Sequence, residues 1–450
     1  MTASAPAVAR DIGALRDRFA ADEALRPIGL GGVLLGAGVL EELPAVVEEV
    51  RGADGDVVVL ADRRPMTVKA DVLGLLDGRR VDIGDDGFHP HADAATIDAA
   101  VATADRAGVV VSVGSGTVTD IGKAVCARLD VPHVVVQSAA SVNGFADGES
   151  VLLVDGVKRT TATRWPDRLV IDTGVLADAP LALNQAGLGD LLATYTAPAD
   201  WLLARFVAQD GSYAQAVVDL AREHVDAAVA AAPGIRAGEP AALEDLAAAL
   251  TLSGVSMGVA GRTAPGSGME HTVSHLLEMA DPASTALHGA KVGILSVLAA
   301  LLWERVREAA PGATLRLPDA ASMERRVRDA FATVDPGGAM GQECWRDYAR
   351  KPARWAAMPD VPSGWAAFDA EVGPLLAPAE RLAGALAAAG APLRLSELGI
   401  DAPTAHWALL HCHLMRDRFT VADLAFLLGV WEADDVESLL DDAARIGVGL

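Results

Sequence analysis

From Val57 the chain reads VVVLAD, a short unbroken apolar run that ends on the acid Asp62. Such a run, rich in β-branched residues and without polar alternation, predicts a strand covered on both faces. The pattern returns as VVVSVGSG from Val109, as VPHVVVQS at 131–138 and as RLVIDTGVL at 168–176. Between these runs the apolar spacing lengthens to that of a helix, around Thr67–Leu76, over ATIDAAVATADRAG (95–108) and over TVTDIGKAVCARL. Strands and helices alternating at this spacing predict a parallel sheet with right-handed crossovers. VLLVDGVKRT (151–160) differs: Asp155-Gly156 between two β-rich runs predicts a hairpin. Residues 1–25 read as a tail leading into a short amphipathic helix.

Past about Leu181 the pattern is helical to the end, rich in Ala and Leu and broken by Gly and Pro. Two domains follow: an α/β domain over 1–180 and an all-α domain over 181–450. Residues 308–365 read as helices joined by longer loops rather than a third domain.

Half of the 450 residues (51%) are hydrophobic, which excludes a chain disordered as a whole. Thirty-seven Lys and Arg against 61 Asp and Glu leave a net charge of −24. That balance argues against nucleic-acid and membrane partners but leaves room for a small anion in a local pocket. Cys126, Cys344 and Cys412 form no CxxC pair, which fits a reducing cytoplasm. The N-terminus lacks the order of a signal peptide, and the Gly-rich stretch from Ile28 to Leu40 is too short to span a bilayer.

Two groups of residues carry chemistry. Gly114-Ser115-Gly116-Thr117 lies between a strand and a helix, where glycines let an anion approach the helix's first N–H groups. A tight connection explains the same turn. Asp62 could accept from a ribose hydroxyl or cap a helix; Arg63 and Arg64 could meet a 2′-phosphate or only solvent. The second group is His271 and His275, on one face of a helix, with His288 and the upstream Asp190. One carboxylate and two or three imidazoles suit a divalent metal with an open position. Buried or surface histidines without a metal are the alternative. His89, His91, His411 and His413 carry no site.

GSGTVTDIGKA, SAASVNGFA, AGLGDLLATY, SGMEHTVSH and LHGAKVGI occur in the order and spacing of the iron-containing alcohol dehydrogenase / dehydroquinate synthase superfamily. The chain resembles most its sn-glycerol-1-phosphate dehydrogenases, the bacterial branch above all, from about residue 25 to 435. The resemblance implies a dehydroquinate synthase-like fold, with a Rossmann-like NAD(P)-binding domain before a helical one. It implies metal ligands Asp190, His271 and His288, with zinc first and nickel or iron as alternatives. His275 matches the position that contacts substrate. Gly114, Ser115, Gly116, Thr117 and Val118 would hold the pyrophosphate of NAD or NADP, Asp120 would lie near the nicotinamide, and Ser138 and Ser141 match a second cofactor loop. Asn143-Gly144 stands where the family has Asp-Gly, so a charged acceptor for a substrate hydroxyl has become an amide.

The implied activity is NAD(P)-linked interconversion of a small polyol phosphate and its ketone, foremost glycerol-1-phosphate and dihydroxyacetone phosphate, by a cytoplasmic homo-oligomer. Lys158 or Arg262 could floor a phosphate pocket. A sugar-phosphate cyclase, a dehydrogenase of a free polyol and an inactive binding protein are the alternatives; Asp190 and the DIGK sequence favour a dehydrogenase over the cyclase.

Overall fold

In the computed structural model, residues 5–52, 55–63, 66–83, 90–154 and 157–450 are described. Six parallel strands form the main sheet: β1 (Val33–Gly36), β2 (Asp56–Asp62), β3 (Arg79–Ile83), β4 (Ala107–Gly114), β5 (His133–Gln137) and, after a β6–β7 pair (Glu149–Val154 and Val157–Ala162), β8 (Arg168–Asp172). Their order is β1-β8-β5-β4-β2-β3. The unbroken valine runs have a direct cause. Val57, Val59, Ala61, Val109, Val111 and Val113 pack into one layer with helices Leu43–Val50 and Thr67–Leu75. The intervening Val58, Leu60 and Val110 pack into the other, against helices Ala94–Thr103 and Gly116–Leu129. With both faces covered, no polar alternation survives.

β1 and β3 have no counterpart among the predicted strands. β1 is four residues inside a glycine-rich stretch, and β3, RRVDI, is an edge strand with three charged residues. The β6–β7 pair agrees with the predicted hairpin, whose Asp155-Gly156 turn lies outside the described residues.

The chain divides into two compact units, at places other than residue 180. The first holds residues up to 154, then 158–191 and 219–262; the second holds 192–218 and 263–450. Helices Leu181–Leu192 (but for its last residue) and Pro240–Ala260 therefore belong with the sheet. Pro240–Ala260 is long and apolar enough to cross a membrane, and 89% of its apolar window is buried inside the protein. Helical spacing reveals a helix but not what it packs on. The second unit is helical, built around the buried helix His288–Ala309. Residues 305–365 form helices within it, including Ala320–Ala332, Ala339–Tyr348 and Val361–Val372.

Candidate functional site

In the first unit the chain runs from β2 outward to β3, then returns to β4 and proceeds the other way to β5. The reversal between β2 and β4 is the topological switch point of the sheet, and ligands of such sheets bind beyond the strand ends there. Asp62 ends β2 and Gly114 ends β4. Helix Gly116–Leu129 starts two residues later, and its N-cap, Ser115, makes no side-chain cap bond. The first N–H groups thus lack a side-chain cap, as at a helix N-terminus that can take an anion. Thr117 is exposed there, whereas the Val118 side chain is buried beneath Gly114, so Val118 offers only its backbone.

The second predicted loop lies against the first. Ser138 N–H donates to Gly114 O at 3.1 Å, and a Cβ on Gly116 would stand 2.8 Å from Val142 Cγ2. Ser138 and Ser141 are buried in this packing. Asp62 departs from the simple picture of an open ribose acceptor. It is buried with Lys69, whose ammonium donates to Asp62 O at 2.5 Å and lies 3.8 Å from its carboxylate. Arg63 is exposed; Arg64 and His89 lie outside the described residues.

Lys123, Asp147 and Ser253, behind the turn, were not singled out by sequence. Lys123, fully buried, donates to Gly144 O (2.6 Å), Asp147 Oδ1 (2.5 Å) and Glu149 O (2.9 Å), fastening the loop after Asn143 to the helix. Ser253 accepts from Asn143 Nδ2 at 3.2 Å. The half-buried Asp120 is pushed up to about 7 by its loss of water; Lys123 opposes this shift and Asp147 adds to it. Asn143 N–H donates to Asp190 Oδ2 at 2.9 Å. That contact needs the Leu181–Leu192 helix to lie on the loop, and Gly187 permits it: a Cβ there would meet Ala140 O at 1.9 Å.

In the second unit, helix Met269–Ala280 carries His271 and His275, and His288 opens the next helix. The ring centroids lie 5.2 Å (271–288), 5.4 Å (275–288) and 6.2 Å (271–275) apart. What each ring meets at Nδ1 sorts them. His271 Nδ1 faces Glu270 Oε1 at 3.1 Å, and His288 Nδ1 faces Glu278 Oε1 at 2.9 Å. Burial alone would raise the Glu270 carboxyl, but the His271 imidazole and the Gly268 N–H outweigh it and hold it below the usual range. A carboxylate accepts, so both rings donate from Nδ1, and in the neutral ring Nε2 is then the lone pair, the arrangement of metal-ligating histidines. His275 Nδ1 instead meets Arg416 Nη2 at 2.8 Å. A guanidinium has no acceptor, so this Nδ1 is the acceptor and the neutral ring carries its proton on Nε2.

Helix Met269–Ala280 is held at its start by Asp200. Its buried carboxylate accepts from Met269 N–H (2.8 Å), Val421 N–H (2.9 Å) and Trp303 Nε1–H (3.1 Å). Burial, with the Glu270 charge nearby, raises the Asp200 pKa. His411 is tied to Trp407 O and His413 stacks on Phe426. Lys158 lies within electrostatic reach of Asp120, and Arg262 follows the C-terminal end of helix Pro240–Ala260.

The first unit is thus a doubly covered parallel sheet with a helix N-terminus at its switch point, and the second carries imidazoles backed by carboxylates. The model of the iron-containing alcohol dehydrogenase family matches residues 34–180. The chain is 34% identical to a glycerol-1-phosphate dehydrogenase (NAD(P)+) of Haloquadratum walsbyi, over 62% of this chain and 80% of that one. It is 33% identical to that of Methanothrix thermoacetophila, over 62% and 79%. The solved structure of a probable glycerol dehydrogenase from Sinorhizobium meliloti shares the fold with a TM-score of 0.62 at 18% identity, covering 93% of this chain and 98% of that one. The chain belongs to the iron-containing alcohol dehydrogenase family, in its glycerol-1-phosphate dehydrogenase group.

Proposed function

We propose that the protein is a metal-dependent, NAD(P)-linked oxidoreductase that interconverts sn-glycerol-1-phosphate and dihydroxyacetone phosphate. The observation that carries the metal-dependent reading is the carboxylate behind Nδ1 of both His271 and His288. With Asp190 they supply two imidazoles and one carboxylate, a set that suits zinc, nickel or iron. When bound, the ion supplies a Lewis acid for the substrate oxygen and the nicotinamide supplies or takes up hydride.

The chain's own groups bind and orient. The Gly114–Val118 turn, with Ser138 and Ser141, holds the cofactor's phosphates through its unfilled N–H groups. His275 offers its Nε2 proton as a hydrogen bond to the substrate oxygen. Asn143, its amide anchored on Ser253, fixes a substrate hydroxyl through its remaining oxygen. Asp120, whose carboxyl is pushed up to about 7 by burial, lies close to the nicotinamide end and holds its proton below that pH. A cytoplasmic homo-oligomer is part of the same proposal.

The test is a ketone screen with NADH and NADPH. Dihydroxyacetone phosphate should be reduced far better than dihydroxyacetone. Equal rates for the two would move the reading to a dehydrogenase of free polyols.

A further inference from the structure

Among the three clustered imidazoles, only His275 has a cation at Nδ1 in the described hydrogen bonds, and the cation comes from a segment 141 residues away. That segment is anchored on both sides. Arg418 donates to Ser267 Oγ (2.7 Å) and Thr263 Oγ1 (2.6 Å), in the loop that leads into the ligand helix. Asp417 is gripped by Arg354, whose Nη1 lies 3.3 Å away. Arg416 is thus delivered to His275 by neighbours that are themselves fixed, which lowers the entropic cost of the contact.

We propose that Arg416 is a positioning residue: its N–H, donated to His275 Nδ1, fixes that ring with Nε2–H as the face offered to the substrate oxygen and keeps it a hydrogen-bond donor rather than a third imidazole ligand. The proposal rests on the dehydrogenase reading above for its substrate. Its physical content, the state of one imidazole, is independent of that reading. Without Arg416 either ring nitrogen can carry the proton, and an Nε2 lone pair facing the substrate oxygen repels it.

The experiment uses the full-length, zinc-loaded protein. Arg416→Ala and Arg416→Lys are made in the native and the His275→Ala backgrounds. Each is assayed for kcat and KM with dihydroxyacetone phosphate and NADH, and for zinc content. Nitrogen-15 spectra of labelled histidine report where the His275 proton resides. Arg416→Ala should lower kcat about tenfold, the effect of one lost charge-assisted hydrogen bond, with full zinc and little change in KM. Arg416→Lys should recover most of it, because an ammonium also donates. In the His275→Ala background, Arg416→Ala should have no further effect. The spectra should show Nε2–H at His275 in the native protein and a mixture in Arg416→Ala. Additive losses, zinc loss from Arg416→Ala or an unchanged His275 spectrum would each overturn the proposal. If the native protein reduces no ketone, the functional reading fails, and the spectra alone then decide whether Arg416 fixes the ring.

Discussion

Replacing Glu278 by alanine removes the acceptor 2.9 Å from His288 Nδ1 together with the counter-charge 2.8 Å from Lys291 Nζ. Each loss has its own magnitude. A ligating histidine deprived of the carboxylate that orients it typically loses about 10–100-fold in metal affinity, about 1.4–2.7 kcal/mol. Lys291 is buried, and the Ala286 carbonyl at 3.2 Å is a neutral substitute for an ion-pair partner. The expected loss of folding stability is about 3 kcal/mol, the low end for breaking a buried pair, because the Glu278 side chain retains 11% exposure. Glu278→Gln separates the two effects. It keeps the shape and an acceptor oxygen but loses the charge, so zinc should weaken about tenfold with a smaller change in stability. Competition for zinc against a chromophoric chelator gives the affinities, and urea denaturation of the metal-free proteins gives the stabilities. A folded Glu278→Ala protein that binds zinc as tightly as the native one would refute the reasoning, since His288 would then not be an oriented ligand.

Three further outcomes are expected. Gly116→Val should weaken NADH binding at least about tenfold by fluorescence titration with zinc content intact, because its side chain collides with Val142 and parts the two loops; unchanged affinity would show that the glycine serves only the turn. Lys123→Met should cost about 3–5 kcal/mol in urea denaturation, since it strands the buried Asp147 carboxylate; a neutral effect would mean the pair contributes nothing to fixing the loop. The folded pKa of Asp120, about 7, lies above its ordinary 3.8, so the folded state keeps a proton that the unfolded chain releases, and stability falls as pH rises from about 4 to 7. Asp120→Asn should flatten that decline, and an identical slope would place the proton elsewhere.

Much of this was legible because burial on both faces writes itself into the chain as continuous valine runs, as in β2 and β4. β3 was not, since an edge strand with Arg79, Arg80 and Asp82 shows no apolar run. The spacing of His271 and His275 placed them on one helix face. It could not tell the rings apart, because they differ in their Nδ1 partners, Glu270, Glu278 and Arg416, and the last is remote in sequence. Asp62 was read correctly as a strand end. Its burial against Lys69 depends on how the following helix folds back, which no local pattern encodes.

The central claim is a metal-dependent hydride exchange between a nicotinamide and a three-carbon phosphate. The direct measurement follows NADH or NADPH oxidation and product together, with dihydroxyacetone phosphate as substrate, before and after removal of metal by a chelator. The account predicts one sn-glycerol-1-phosphate formed per nicotinamide oxidised, loss of turnover in the stripped protein and its return with added zinc. Product formed without net nicotinamide oxidation, or turnover indifferent to chelation, would contradict it.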